Sequence, residues 1–514
     1  MKKAISLRTD SSSLFYTWHV TIIALALASS AHKAGASQAD ATSITITSQK
    51  PGATPFISTL NLNISGLSVL ASIQFTITPK PGSVARPLSA TYSASYLAAR
   101  GYLNSQTGQV TLPIFGLYAN YPNSIVVTYS FNDGSSRQHS IVITTTDYTD
   151  PCGFTSPIVL QPRTQNADLS YDYILIKSEC SANSPTIIDT DGAIRWVGTT
   201  GGGKTAFAKC TFFDNAVYLD DIAGAALYRN ELDGTVRIIA TDYKKIGVVD
   251  YHHNIDHGKH GIILDVSNKT YSESMDVEVD GNGNVLRVWD LAAIISASMR
   301  AGGDNPSQFV FPSPADWFHN NSTAYRASDN SLIVSSRENF VICLDYNTGA
   351  IKWILGDPTK KWYQFPSLRR YALKVTPGGV PPIGQHAVSI TRDDNLLLFD
   401  NGTNSDFQIP AGVSRNYSTP RKYRLDLKAG LATEVWNYPR NQSIEAPVCG
   451  SVYEDGPLNY LIDYAYRRLG GQTVAEILGL NATRQTAFDY AYPSQAICTT
   501  AFNAIPVHLE NVVF

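Results

Sequence analysis

Residues 316–356, DWFHNNSTAYRASDNSLIVSSRENFVICLDYNTGAIKWILG, read as one antiparallel unit of four short strands. His319 and Asn321 open it. Ser331-Leu332-Ile333-Val334 is an apolar strand, which Ser335-Ser336-Arg337 closes with a cation. Phe340 to Leu344 is the next strand, Asp345-Tyr346-Asn347-Thr348-Gly349 turns the chain, and Ala350 to Ile354 returns. An imidazole and a basic side chain at strand ends, where a sheet runs out, suggest a place for an anion.

The same design recurs outward from this stretch. An Asp- and Gly-containing turn is followed by an apolar strand that usually carries Trp. The instances are Asp189 to Gly192 before Trp196, Asp233-Gly234 before Ile238, Asp280 to Gly283 before Trp289, Asn347 to Gly349 before Trp353, and Lys428 to Gly430 before Trp436. Repeats of this kind imply a β-propeller over 156–514, with the Trp series as core between blades. Five units are visible and Tyr460 to Phe514 supplies strand for another, so the expectation is six blades. Ile294 to Arg300 and Thr473 to Leu480 are expected as helical insertions.

Residues 42–148 alternate as short strands with Pro, Gly and Asn turns, among them ASIQFTITPK, SATYSASYLA and HSIVITTT. This predicts a small β-sandwich for packing or pairing. It carries no catalytic signature, since no His occurs between Asp40 and Arg137. Composition agrees with an all-β protein: charged residues are 16%, aromatics 11%, and there are 28 Tyr.

Residues 1–36 resemble a secretion signal, with Lys2, Lys3 and Arg8, a short apolar run from Val20 to Ala28, and Ala34-Gly35-Ala36 as a cleavage site. That run is too short to span a bilayer, so no membrane span is expected. The segment holds Lys2, Lys3, Arg8 and Lys33 against Asp10, a net +3, so removing it takes the formal charge from −3 to −6. Nucleic acid is a poor partner for such a chain. The expected location is periplasmic or secreted. Six cysteines lack C-x-x-C spacing, which leaves a zinc knuckle unsupported. One or two disulfides fit an oxidising compartment, with Cys449–Cys498 the favoured pair and Cys343 a buried thiol.

Three unit starts carry histidine: Tyr251-His252-His253-Asn254, Trp317-Phe318-His319-Asn320-Asn321, and Gly384-Gln385-His386-Ala387. Inner strands of a propeller face one channel, so these imidazoles and Arg337 are expected to converge in a cationic, hydrogen-bonding pocket. Of His252 and His253, strand alternation turns one away. His257 and His260 are expected to be loop residues bonded to backbone. Asp400-Asn401-Gly402 reads as a turn close enough to His386 to support it.

With DWFHNNS, SSR, IKWILG and QHAVSITRDDNLLLFDNG in view, the chain resembles the bacterial arylsulfate sulfotransferases over most of its length. The resemblance implies a periplasmic homodimer that moves a sulfuryl group from a phenolic sulfate ester to a phenolic acceptor without an adenylyl-sulfate donor; because that group carries a single charge, positioning and fixed donors are expected to suffice with no cofactor or metal. It implies that His386 is the transiently sulfated nucleophile of a ping-pong reaction, and that His319, Asn321 and Arg337 match the family's H-x-N pair and arginine. His253 matches the first-blade histidine, with His252 as the competitor. The family's cysteine pair shortly before the nucleophile is missing, because Ala372 to Gln385 contains no Cys. Two other readings stay open: a metal-dependent sulfatase or other propeller hydrolase, and a secreted propeller that only binds ligands.

Overall fold

A computed structural model describes residues 36–180, 185–199, 209–221, 226–240, 243–494 and 496–514. The expected signal segment lies outside the described residues, apart from Ala36. The N-terminal domain is two packed sheets. One contains Ile44–Pro51, Ile57–Ile64, Gln109–Phe115 and Leu103–Asn104; the other contains Leu88–Ser93, Leu70–Ile77, Pro122–Phe131 and Ser136–Thr144. Alternation drives the packing, with Ile73, Phe75 and Ile77 wholly buried on one face of their strand. SATYSASYLA is a strand only to Ser93. Ala94–Ala99 is a helix of good helix formers, capped by the Ser93 hydroxyl, which accepts from Tyr96 N at 3.1 Å.

The remainder is a ring of six antiparallel sheets. Blade 2 is Cys210–Phe213, Ala216–Asp221, Ala226–Glu231 and Val236–Ala240; blade 3 is Val248–His257, Ile262–Asn268, Met275–Val279 and Val285–Asp290. Blade 4 is Asn320–Arg326, Ser331–Ser336, Val341–Asp345 and Ile351–Leu355, the four strands expected of residues 316–356. Blade 5 is His386–Ile390, Leu396–Asp400, Thr419–Asp426 and Leu431–Asn437, with Lys374–Val375 added in parallel.

The ring closes at two places. Asn503–Val507 pairs with Tyr173–Lys177 as the inner strand of blade 1, whose other strands are Thr186–Asp189 and Ile194–Val197. Ile158–Gln161 pairs with Thr486–Pro493 as the outer strand of blade 6. Both chain ends of the propeller are thus held inside another segment's sheet, which leaves no open edge between the first and last blades. The sixth blade starts at Ser451–Glu454 rather than at Tyr460, and the tail beyond it belongs to the first.

Each turn of the repeat falls just before the last antiparallel strand of its blade; four of these strands carry a buried Trp, Trp196, Trp289, Trp353 and Trp436, and that of blade 2, Val236–Ala240, carries none. Leu291–Ala301 is the expected helix, capped by Asp290, whose carboxylate accepts from Ala293 N at 2.9 Å. Thr473 to Leu480 is not helical. It lies in the strand Gln472–Leu480, paired on both sides and buried from Val474 onward, so sheet pairing overrides the helix-forming Ala, Glu and Leu. Among the described residues no helix is long and apolar enough to cross a membrane.

The sandwich is built into the propeller. Asp191 of blade 1 accepts from Val84 N and Ala85 N at 3.0 Å, and buried Arg195 donates to Gly116 O at 2.9 Å. One apolar core runs from Phe75 and Leu112 through Leu175 and Trp196 to Val217. The C-terminal Val512–Val513 pairs in parallel with Leu88–Ser93, and Phe514 stacks on Tyr92 at 4.8 Å. Cys152–Cys180 and the expected Cys449–Cys498 are disulfides; Cys343 is a buried thiol, as is Cys210.

Candidate active site

A cavity of about 380 Å³ opens where the inner strands of blades 3, 4 and 5 begin. His252, His253, His319, Arg337 and His386 line its floor. The first strands of successive blades contact one another, which brings together side chains up to 134 positions apart (His252 to His386).

A bulge or irregularity in each of these strands aims the imidazoles. In blade 3, Tyr251 pairs with Val266 but the next partners are Ile255 and Leu264, so 252–254 fall outside the regular ladder. Strand alternation is suspended there, and both His252 and His253 line the cavity. The expectation that one must face away is corrected for that reason. In blade 4 the irregularity lies between Asn320 and Ser322, and in blade 5 between His386 and Ser389. His319 and Ala387 take left-handed backbone, at φ of 53° and 51°, a conformation that non-glycine residues adopt rarely and that collects at functional sites. Counted from Tyr173, His253 lies on the third blade, not the first.

The spacing of His319 and Arg337 is also a matter of register. Asn320 pairs with Ser336 across a hairpin, so the residues just outside that pair face each other, and Arg337 N donates to His319 O at 3.0 Å. The Arg337 guanidinium is held by buried Glu338 and, at 2.7 Å, by Asp406, which is 74% exposed. Behind it Lys360 donates to Arg337 O at 2.9 Å, and burial lowers that ammonium to about 8. Asn321 is buried one layer deeper than the cavity floor. Its Nδ2 donates to Gln385 O at 2.8 Å, while Gln385 Nε2 donates to Ser336 O at 2.8 Å. Asn321 therefore fastens the residue before His386 to blade 4; it is not among the cavity-lining side chains.

His386 is fixed by hydrogen bonds that specify its tautomer. The Asn401 amide sends Nδ2 to Ala446 O and Cys449 O, both at 2.8 Å. Two carbonyls can only accept, so the amide oxygen must face His386 Nδ1, 2.8 Å away. Gly384 O, also an acceptor, lies 3.2 Å from the same nitrogen. Nδ1 carries the proton, and Nε2 keeps its lone pair. Burial pushes the His386 pKa down to about 3, the Asn401 bond opposing, so the ring is neutral at neutral pH. Gly384 must stay glycine: φ is 66°, and a Cβ there would lie 2.5 Å from Thr403 O.

The other imidazoles form a chain. His253 Nε2 and His319 Nε2 are 2.6 Å apart, so one donates and the other accepts. The Phe502 ring stacks on His253 at 5.3 Å and 4°. Burial, and then neighbouring imidazoles, lower the pKa values of His252 and His253 well below the ordinary histidine range. His319 Nδ1 faces two carboxyl groups, Asp316 and, at 3.1 Å, Glu273. Glu273 also reaches His252 Nε2 at 2.5 Å. At the rim lie Phe407, Val448, Cys449 and Ile497, and the Cys449–Cys498 disulfide ties two rim segments together. His257 donates to Phe212 O at 2.8 Å, the backbone bond expected of it, but it is the last residue of the strand Val248–His257, paired with Ile262, and not a loop residue. Sequence reading passed over Glu273, Glu338, Asp406 and Phe502. Asp316 was in the quoted stretch, three residues before His319, but a lone Asp there is not a signal.

A closed six-bladed propeller brings four imidazoles and one guanidinium together at its inner strands, an arrangement able to hold a small oxyanion beside an apolar rim. The profile described as Arylsulfotransferase (ASST) matches residues 159–503, and the one described as Arylsulfotransferase Ig-like domain matches residues 57–146. The chain belongs to the arylsulfotransferase family. It is 28% identical over 212 residues to the arylsulfate sulfotransferase AssT of Escherichia coli O6:H1 (strain CFT073), covering 33% of this chain and 35% of that one. Against AssT of Lelliottia amnigena it is 26% identical over 213 residues, with coverage of 33% and 35%. The chain thus spans about a third of the length of the curated relatives it matches. A Bacteroides thetaiotaomicron structural genomics protein of unknown function aligns over 88% of this chain and 98% of its own, at 12% identity and a TM-score of 0.33. A likeness at that score adds nothing to the topology read from strand pairing.

Proposed function

We propose that this protein moves a sulfuryl group from a phenolic sulfate ester to a phenol by a ping-pong mechanism, through a sulfohistidine at His386. The observation that carries the reading is the neutral, Nδ1-protonated His386 on the cavity floor, whose Nε2 lone pair is left for attack at sulfur. Attack forms the Nε2–S bond and breaks the S–O(aryl) bond, whose electron pair leaves with the phenolate, and a neighbouring imidazole or solvent protonates that oxygen. A second phenol reverses the step. The sulfuryl oxygens carry one charge, for which Arg337 supplies a planar fork of donors and the imidazoles supply single ones. The aryl ring lies against Phe407, Val448 and Ile497. Two disulfides among the described residues support a periplasmic or secreted location.

The deciding experiment is turnover of a chromogenic aryl sulfate with and without a phenol acceptor, each with and without chelator. Acceptor-dependent, chelator-resistant release with parallel initial-rate lines is expected. Equal release without acceptor would mean hydrolysis, loss on chelation would mean a metal enzyme, and no release would leave a ligand-binding propeller. Because His386 is neutral across the working range, donor turnover should show no His386 limb near pH ~6.5, the unperturbed imidazole value; acid loss from this ring sets in only toward its depressed pKa.

Arg337 must exchange a carboxylate for the sulfuryl group. Asp406→Asn removes the exposed competitor while Glu338 stays in place. The donor KM should fall about two- to fivefold with kcat unchanged, the size of an exposed ion pair, and the gain should shrink at high salt. A raised KM would show that Asp406 orients Arg337 instead.

A further inference from the structure

We propose that Asp265, Lys209 and Lys177 are positioning residues for the His252–His253 pair, and that they do so by clamping the bulge that presents both rings. This rests on the sulfotransferase reading and adds to it the groups that hold its imidazoles in place. Tyr251 pairs with Val266 and Ile255 with Leu264, so the three residues 252–254 are faced by Asp265 alone. A bulge of that size takes backbone groups out of the ladder, and when buried they must find other partners. Here buried charged side chains meet them. His253 N donates to Asp265 Oδ2 at 3.1 Å. At one end of the bulge Tyr251 O accepts from Lys209 Nζ at 2.6 Å. At the other end Ile255 O accepts from Lys177 Nζ at 3.4 Å, and the same ammonium reaches Asn254 Oδ1.

The three come from three blades. Lys177 ends the strand Tyr173–Lys177 of blade 1, and Lys209 immediately precedes Cys210–Phe213 of blade 2. Asp265 lies in Ile262–Asn268 of blade 3, where Asp276 pairs with it from the other side. Asn254 carries the network on to blade 4. Its Nδ2 donates to Asp256 Oδ1 at 2.9 Å, and Asp256 Oδ2 accepts from Thr323 N at 2.8 Å, in the strand that begins just after His319. Hydrogen bonds to charged groups are roughly twice as strong as neutral ones, which suits a clamp on a segment without ladder pairing. The 2.6 Å contact between His253 Nε2 and His319 Nε2 leaves little room for drift of either strand. None of the three charged side chains lines the cavity, so each acts through the imidazoles.

The test is a double-mutant cycle in the full chain, read as transfer from an aryl sulfate to a phenol. Asp265→Ala should lower kcat by up to about 10²-fold, the cost of a small misplacement in a site that works by orientation. Asp265→Asn, which keeps an acceptor oxygen for His253 N, should restore most of that rate. Asp265→Ala placed on top of His253→Ala should change the rate by no more than about twofold, because the residue it positions is already gone. Losses that multiply, or an Asn variant as poor as Ala, would overturn the proposal and leave Asp265 a general structural residue. If Asp265→Ala does not fold, Lys209→Met enters the same cycle with the same expectation. The wild type supplies a separate reading: the His253 amide should resist deuterium exchange as the ladder amide of Leu264 does. Exchange at the rate of an exposed loop amide would overturn the clamp. Absence of transfer by the wild type, with the His253 amide still protected, would sink the sulfotransferase reading and the positioning role that rests on it, leaving the clamp a structural feature alone.

Discussion

Replacing His386 by alanine should abolish both half-reactions, with a fall of roughly 10⁴–10⁶-fold, the scale seen when a nucleophile is removed from a site whose other parts remain. Donor alone should put an acid-labile SO3 group on the wild-type peptide that contains His386, and none on that peptide in the variant. The fold should survive, since His386 is one residue at the start of a strand whose ladder is carried by Ser389↔Leu397 and Ile390↔Leu396. His253→Ala or His319→Ala should leave a slow residual rate, because each removes a proton donor or an oxygen contact and not the bond-forming atom. An adduct found reproducibly on another residue, or an active His386→Ala protein, would falsify the assignment.

The second large effect is expected at Asn401, which does not touch the cavity. Asn401→Ala removes the acceptor that holds the proton on His386 Nδ1, leaving only the longer contact to Gly384 O. The ring can then place its proton on Nε2, where the attacking lone pair should be. Loss of a tautomer-setting partner costs up to about 10⁴-fold in a comparable imidazole site, and here about 10²–10⁴-fold in kcat is expected. KM for the donor should hardly change, since Arg337 and the rim are untouched. Histidine nitrogen shifts measured by NMR should show the Nε2–H form gaining population. A matching rise in KM, or a variant as active as the wild type, would show that Asn401 merely packs the turn.

Much of the architecture was legible because it is written in short-range chemistry. The quoted stretch alternates apolar and polar residues with Asp/Gly turns at strand ends, and blade 4 has those four strands where they were expected. The repeated turn marks the same place in five blades, and in four of them the strand after it carries a buried Trp; blade 2 has the exposed Ile238 instead. The misreadings share one cause. SATYSASYLA and TVAEILGL both contain residues comfortable in either helix or strand. A local serine cap decides the first for helix, and a neighbouring strand on each side decides the second for sheet.

The site shows the same division. His253, His319, His386 and Arg337 could be picked from the chain, because imidazoles at several unit starts are rare enough to notice. Asn321 was picked for the substrate, but its place is a backbone carbonyl one layer down. Asn401 was left as a turn with a supporting role open, and Glu273 was not seen at all, since a glutamate in SNKTYSESMD carries no local pattern.

By itself, then, the sequence determined an all-β chain, a repeat that closes into a ring, and the histidine-bearing positions, because periodicity and turn chemistry act over a few residues. Only the tertiary structure decided which strand closes the ring, and that His252 and His253 both reach the cavity. Only it placed a carboxyl pair behind His319 and set the proton on His386 Nδ1. Those outcomes depend on register irregularities and on hydrogen bonds between segments far apart in the chain, and neither leaves a mark in any short window of residues.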